Sequence, residues 1–265
     1  MRSVYFMEKP MHKTQITVVS ILIGAALILA ACNLPQRQIP PSPTSIVAVL
    51  PQSSPTPTPL CANPYFPNAV GDQWEYTGTN SLIGAYTRTD TTISSNEASF
   101  TQQSNLDGVA YSVPYDCSST GLTSQNPVQQ YAGALLNSPD APVDVKLSSN
   151  SGTTLPANLA PGDTWQQSAD FEATSTQVNV NGRFVFEYTA AGVESVTVPA
   201  GTFNTMRVDG TIRIQVTSLH VPAGTYSITT WWAPGVGIVK SEGVSHVPGV
   251  DFTDSLQLAS YAFSR

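Results

Sequence analysis

The chain has 265 residues, of which 41% are hydrophobic and only 11% charged, and its formal net charge is −7. An acidic excess with so few cations excludes nucleic acid as a partner and an electrostatic grip on anionic lipid. The 21 prolines and three cysteines are unevenly placed, and they divide the chain.

Arg2, Lys9 and Lys13 form a cationic head, and residues 16–31 are apolar apart from Thr17 and Ser20. A charged head, a greasy core and a small-residue exit follow the order of a secretory signal, whether the start is Met1, Met7 or Met11. Leu29-Ala30-Ala31-Cys32 closes the segment as a bacterial lipobox. Residues 1–31 are therefore expected to be removed as a lipoprotein signal peptide, with Cys32 carrying the lipid. Residues 16–31 would rise about 24 Å as a helix, short of the roughly 30 Å hydrocarbon core, so an uncleaved membrane span fits less well. Each buried CH2 of the acyl chains contributes about 0.8 kcal/mol, and two or three chains hold a protein on a membrane. The expected address is the extracytoplasmic side of a cell membrane or outer membrane.

Residues 32–60 follow as a linker, with Pro35, Pro40, Pro41, Pro43, Pro51, Pro55, Pro57 and Pro59 spread among Ser and Thr. Proline fixes φ and removes donors, so the zone favours extended polyproline II and reads as a spacer. Loss of residues 1–31 removes Arg2, Lys9 and Lys13 but only Glu8, which leaves the remainder more acidic. It also leaves Cys61 and Cys117, an even pair in a compartment that tolerates disulfides. Closing their loop would stabilise the fold by roughly 3–4 kcal/mol in the chain-entropy model. Two free thiols is the alternative.

Residues 61–265 read as a single mainly-β domain. Pro67-Asn68-Ala69-Val70-Gly71-Asp72-Gln73-Trp74 is echoed by Leu159-Ala160-Pro161-Gly162-Asp163-Thr164-Trp165, which suggests two related halves, 61–150 and 151–265. Gly-Asp-x-Trp as a common way to open a strand is the plainer account of the same echo. Asn126, Pro127, Val128, Tyr131 and Leu135 form one helix candidate, with Asn126 as cap. Asn181-Gly182 predicts a hairpin between residues 178–180 and 183–185. Phe184, Phe186 and Tyr188 then alternate with Val185, Glu187 and Thr189. Pro199-Ala200-Gly201 predicts the next turn; Ile212, Ile214 and Val216 the next alternation; Tyr226, Ile228 and Trp232 another. Pro234-Gly235 is a turn signal, and Leu256 and Leu258 flank Gln257. Period two over so many segments argues for antiparallel sheet.

Tyr65-Phe66-Pro67 with Val70-Gly71-Asp72-Gln73-Trp74-Glu75-Tyr76 resembles the opening of TapB-like domains of unknown function from bacterial secreted proteins and lipoproteins. Residues 196–203 (VTVPAGTF) and 231–240 (WWAPGVGIVK) resemble two later signatures, and Asp116-Cys117 followed by Gly121-Leu122 sits where such domains carry Cys and Gly-Leu. The resemblance spans most of residues 64–263. It implies a strongly curved antiparallel sheet, a half-barrel or open barrel similar to lipoprotein carriers, with few helices. It implies no catalytic activity.

Signals for chemistry are weak. His220 and His246 each stand beside Val-Pro and look like turn residues, no Gly-x-Ser-x-Gly elbow occurs, and Cys117 has no base nearby in sequence. Metal motifs are missing from the sequence, and no cofactor is expected. Asp170 with Glu172, and Glu187 with Glu194 near the hairpin, could do acid–base work on a sugar, though a solvated sheet face accounts for them. Tandem Trp231 and Trp232 must send one ring to each face of a strand, one into the core and the other toward solvent, a second layer or a groove. They are the candidate ligand-binding residues, for Trp also makes sugar platforms, and Trp74 and Trp165 read as core. The expectation is a non-enzymatic, membrane-anchored binding module for a hydrophobic ligand or glycan. The alternative is a structural or assembly protein that docks envelope or adhesion partners.

Overall fold

Alternating apolar and polar residues build one sheet of thirteen antiparallel strands among the described residues. The computed structural model describes residues 59–130, 144–175, 179–217, 224–247 and 250–264. Cys32 and His220 lie outside the described residues. The strands are β1 (Gln73–Asn80), β2 (Gly84–Ser95), β3 (Ser99–Leu106), β4 (Val109–Ser118), β5 (Gly121–Ser124), β6 (Asp144–Gly152) and β7 (Leu155–Pro156). They continue as β8 (Thr164–Thr174), β9 (Asn179–Val198), β10 (Gly201–Val216), β11 (Gly224–Ala233), β12 (Gly237–Val247) and β13 (Val250–Ala262). Their spatial order is β6-β8-β9-β10-β11-β12-β13-β1-β2-β3-β4-β5-β7.

β6 and β7 are the two edges, yet only Thr153 and Thr154 separate them in the chain. Three residues span at most about 11 Å, so the sheet must curl until its edges lie side by side. Side chains and the Thr153–Thr154 backbone, rather than a strand ladder, join the seam: the Thr153 amide donates to the Gln166 carbonyl at 3.0 Å and the Thr154 amide to the Leu122 carbonyl at 2.9 Å. Asn150 Nδ2 and Gln167 Nε2 both donate to the Ser124 carbonyl, at 2.9 and 2.8 Å. Thr154 Oγ1 accepts from the Ser124 amide at 2.7 Å and donates to Gln167 Oε1 at 2.6 Å. Such a pairing of buried polar groups is what makes the burial of Gln167 tolerable.

The curl brings both wings onto one inner apolar cluster. Phe171, Phe184, Phe186 and Tyr188 of β8 and β9 share it with Phe100, Tyr111, Val113 and Tyr115 of β3 and β4. A Cys61–Cys117 disulfide, buried at both ends, ties the incoming arm to β4. A second cluster contains Trp74, Tyr76, Val198, Trp231, Val239 and Leu258. There the β9–β10 turn reaches across to β13, with the Ala200 amide donating to the Leu258 carbonyl at 3.0 Å.

Most turn expectations match the structure. Pro199-Ala200 joins β9 to β10, Pro234-Gly235 joins β11 to β12, and residues 127–130 are helical behind Asn126, whose Oδ1 accepts the Gln129 amide at 3.2 Å. Tyr131 and Leu135 lie outside the described residues. The Asn181-Gly182 hairpin is corrected: both residues lie inside β9, paired with Glu172 and Phe171 of β8. Glycine stands there because a Cβ would come within 2.6 Å of the Phe171 ring and 2.3 Å of the Gln215 carbonyl. Glu187 and Glu194 consequently belong to one continuous strand rather than to a hairpin. His246 is corrected as well, being an exposed residue of β12, not of a turn.

Candidate functional site

On the inner face, Arg88 Nε and Nη2 donate to the two oxygens of Asp90 at 2.9 and 2.5 Å, and Asp90 is 1% exposed. Burial opposes the charge on Arg88, but Asp90, Tyr111 and Tyr76 together outweigh it and keep the guanidinium ionised. Burial, and then the Asp90 charge, push the hydroxyl of neighbouring Tyr76 above its ordinary value. Tyr86 shifts the same way through burial and Asp254, which accepts its hydroxyl at 3.1 Å. The cavity beside this pair, lined by Phe66, Trp74, Arg88, Asp90, Gln102 and Trp232, has a volume of about 30 Å³. That is room for about one water molecule.

The outer face is different. Cross-strand partners put their side chains on the same face, so register alone defines rows across the sheet. One row runs Asp209, Thr229, Glu242, Ser255, Thr79 and Ala85 over β10, β11, β12, β13, β1 and β2. The adjacent row runs Arg207, Trp231, Lys240, Gln257, Thr77 and Thr87. A shallow trough of about 570 Å³ lies over the first row, and a second of about 510 Å³ shares Thr79 and Ser255 with it. Gly210 and Gly243 lie beneath the trough, their inner sides occupied by the Tyr188 and Tyr226 rings.

Charge in the trough is locally balanced. Arg207 donates to both oxygens of Asp209 at 3.1 and 2.8 Å, and Thr229 donates to Oδ1 at 3.0 Å. The Arg207 hydrogen bonds, chiefly, hold the Asp209 carboxyl below the usual carboxylate range. Lys240 pairs with Glu242 at 2.7 Å. Hydroxyls, an amide and tied carboxylates in register can bind a polar chain through many hydrogen bonds.

Trp232 faces inward, within 6.0 Å of the Phe66 ring, and Trp231 faces outward in the second row. Trp231 is covered: Lys240 Nζ lies 4.6 Å from its ring centroid, and its Nε1 donates to Glu194. Asp170 is taken by Arg183 at 2.5 Å and Ser149 at 2.6 Å, and Glu187 pairs with Arg213. Arg183 first, then Ser149, keep the Asp170 carboxyl well below the usual range. Glu172 is exposed on the same face of β8 as Asp170, the arrangement expected of a solvated sheet face. His246 Nδ1 lies 3.8 Å from Asp251. Among the described residues no group of three His, Cys, Asp or Glu side chains could hold a metal ion. The trough itself escaped the sequence, whose one trace of it is the run of Thr and Ser at outward positions of β1, β11 and β13.

A single open, curved antiparallel sheet is the class this geometry defines. A family model described as DUF3108-like matches residues 136–246, and the TapB-like designation is not the one that matches. Among solved structures, a protein assigned as a lipoprotein from Parabacteroides distasonis is similar at TM-score 0.54 and 15% identity, over 76% of this chain and 99% of that one. A protein assigned as exported, with a YmcC-like fold, from Bacteroides fragilis is similar at TM-score 0.51 and 15% identity, over 76% of this chain and 100% of that one. At these identities the likeness is one of fold. No curated protein matches the chain.

Proposed function

We propose that this chain is a lipid-anchored, extracytoplasmic binding module, without catalytic activity, whose outer trough takes a hydroxyl-rich glycan. The observation that carries the reading is the contrast between the two faces. A lipid needs a dry cavity of several hundred Å³, and the inner cavity holds about 30 Å³. The outer trough has the volume, and Thr79, Asp209, Thr229, Glu242 and Ser255 supply hydroxyls and carboxylates for sugar. The lipobox at Cys32 and the Pro-rich spacer supply the tether to the membrane. The incoming arm docks at the β11–β12 turn, where Gly235 N donates to the Pro64 carbonyl at 2.7 Å. Thr229 lies four residues back from Ala233, about 13 Å up the strand, so the trough lies away from the point where Pro64 docks.

The test is a titration of the full chain, in detergent, with two neutral hexasaccharides, one of β-linked glucose and one of β-linked N-acetylglucosamine. Saturable binding to at least one is expected, and Thr79→Arg, at an exposed position in the trough, should weaken it by at least about tenfold. Absence of binding to both overturns the reading, as does a co-purifying lipid in native mass spectrometry.

A partner-docking role draws its support from Leu82 and Ile83, 61% and 59% exposed at the β1–β2 turn. Under that reading Leu82→Ser with Ile83→Ser would abolish a stoichiometric envelope complex, and Thr79→Arg would leave it intact.

A further inference from the structure

We infer that Trp231 is a sugar-stacking platform at the margin of the outer trough, and that Lys240 is a removable cover over it which the ligand displaces. The inference rests on the glycan reading of the trough. Trp231, 8% exposed, lies on the outer face between Arg207 and Lys240, in the row beside the trough lining that contains Thr229 and Glu242. Its ring is fixed at two places. Nε1 donates to Glu194, and the remainder belongs to the cluster formed with Val198 and Leu258. A platform must be rigid, and this one is.

The cover is of another kind. Lys240 is a long side chain with many rotamers, laid over the ring at 4.6 Å from the centroid and pinned at its tip by Glu242 at 2.7 Å. Glu242 is 53% exposed and itself lines the trough, so a ligand hydroxyl that reaches this carboxylate competes for the pin. An ammonium over a Trp face is held by the ring quadrupole. The apolar C–H face of a pyranose can replace it there, with Glu242 on one side and Gln257 on the other for the hydroxyls. A flat face of this kind selects neutral rings with equatorial substituents, as in β-linked glucose or N-acetylglucosamine. The acidic chain disfavours anionic glycans.

The same two hexasaccharides, titrated into the full chain with tryptophan emission as readout, test the inference. Saturation should shift the emission, and Trp231→Phe should remove most of that shift. Lys240→Ala should tighten binding by about threefold, a gain that misfolding cannot imitate. Trp231→Leu should weaken binding by at least about tenfold, with thermal unfolding used to verify that the variant is folded. If Thr79→Arg abolishes binding while Lys240→Ala and folded Trp231→Leu leave Kd unchanged, the trough stands and the platform is overturned. If neither hexasaccharide binds the unaltered chain, both are overturned.

Discussion

Gly71-Asp72-Gln73-Trp74 and Gly162-Asp163-Thr164-Trp165 make the same turn and meet different surroundings. In each, the glycine amide donates to a carbonyl of the next strand, Gly71 to Thr92 at 2.9 Å and Gly162 to Ala190 at 2.7 Å. The aspartate amide donates three residues back, to Ala69 at 3.0 Å and Ala160 at 3.1 Å. Its Oδ2 accepts the amide of that same alanine, at 2.9 and 2.8 Å. The glycine φ angles are +92° and +93°.

Beyond the turn the two diverge. Asp72 is 2% exposed and its Oδ1 accepts the Ser264 amide at 2.9 Å, whereas Asp163 is exposed. Trp74 is 2% exposed, with Nε1 donating to the Val236 carbonyl at 2.6 Å. Trp165 is half-buried, stacked on Tyr188 at 5.4 Å. The cause is position in the sheet: β1 lies between β13 and β2 far from either edge, and β8 lies next to the edge strand β6. Local sequence specifies the turn, and the number of strands on each side sets what the turn is worth.

Truncating the tryptophans should break the symmetry most. Trp74→Ala should cost about 3–5 kcal/mol in urea unfolding, and Trp165→Ala about half of that. Equal losses would mean that sheet position does not decide the difference. The aspartates come next. Asp72→Ala strands two backbone donors in a buried site and should cost about 2–3 kcal/mol, while Asp163→Ala leaves a donor that water can reach and should cost about 1 kcal/mol. The glycines are the finest test. A Cβ at Gly71 would come within 2.5 Å of Ser264 Oγ, and one at Gly162 would meet nothing within 4 Å. Both substitutions carry the strain of a positive φ, about 1 kcal/mol, so the excess cost of Gly71→Ala, read from the shift in thermal midpoint, measures the contact alone.

Turns and strand faces were the legible part of this protein. The Gly-Asp-x-Trp echo, Pro199-Ala200-Gly201, Pro234-Gly235 and the inward aromatics of β9 all follow from local rules of φ and period two. Asn181-Gly182 shows where such rules run out. The dipeptide suits a tight turn, but glycine is equally required where an aromatic ring lies against the backbone, and only the packing of Phe171 distinguishes the two. The candidate site was less legible still. Asp209, Thr229, Glu242, Ser255 and Thr79 come from five strands, and their alignment depends on registers that no local pattern states.

From the sequence alone came the period-two strands, the turns, the pairing candidates Cys61 and Cys117, and the rule that Trp231 and Trp232 face opposite ways. Those follow from backbone sterics and side-chain alternation, which act over a few residues. Tertiary structure decided that the edges β6 and β7 meet, that both wings share one apolar cluster, and that Trp231 lies under Lys240 beside the trough. These depend on contacts between residues far apart in the chain, and hydrophobic burial selects them only when the whole sheet curls at once.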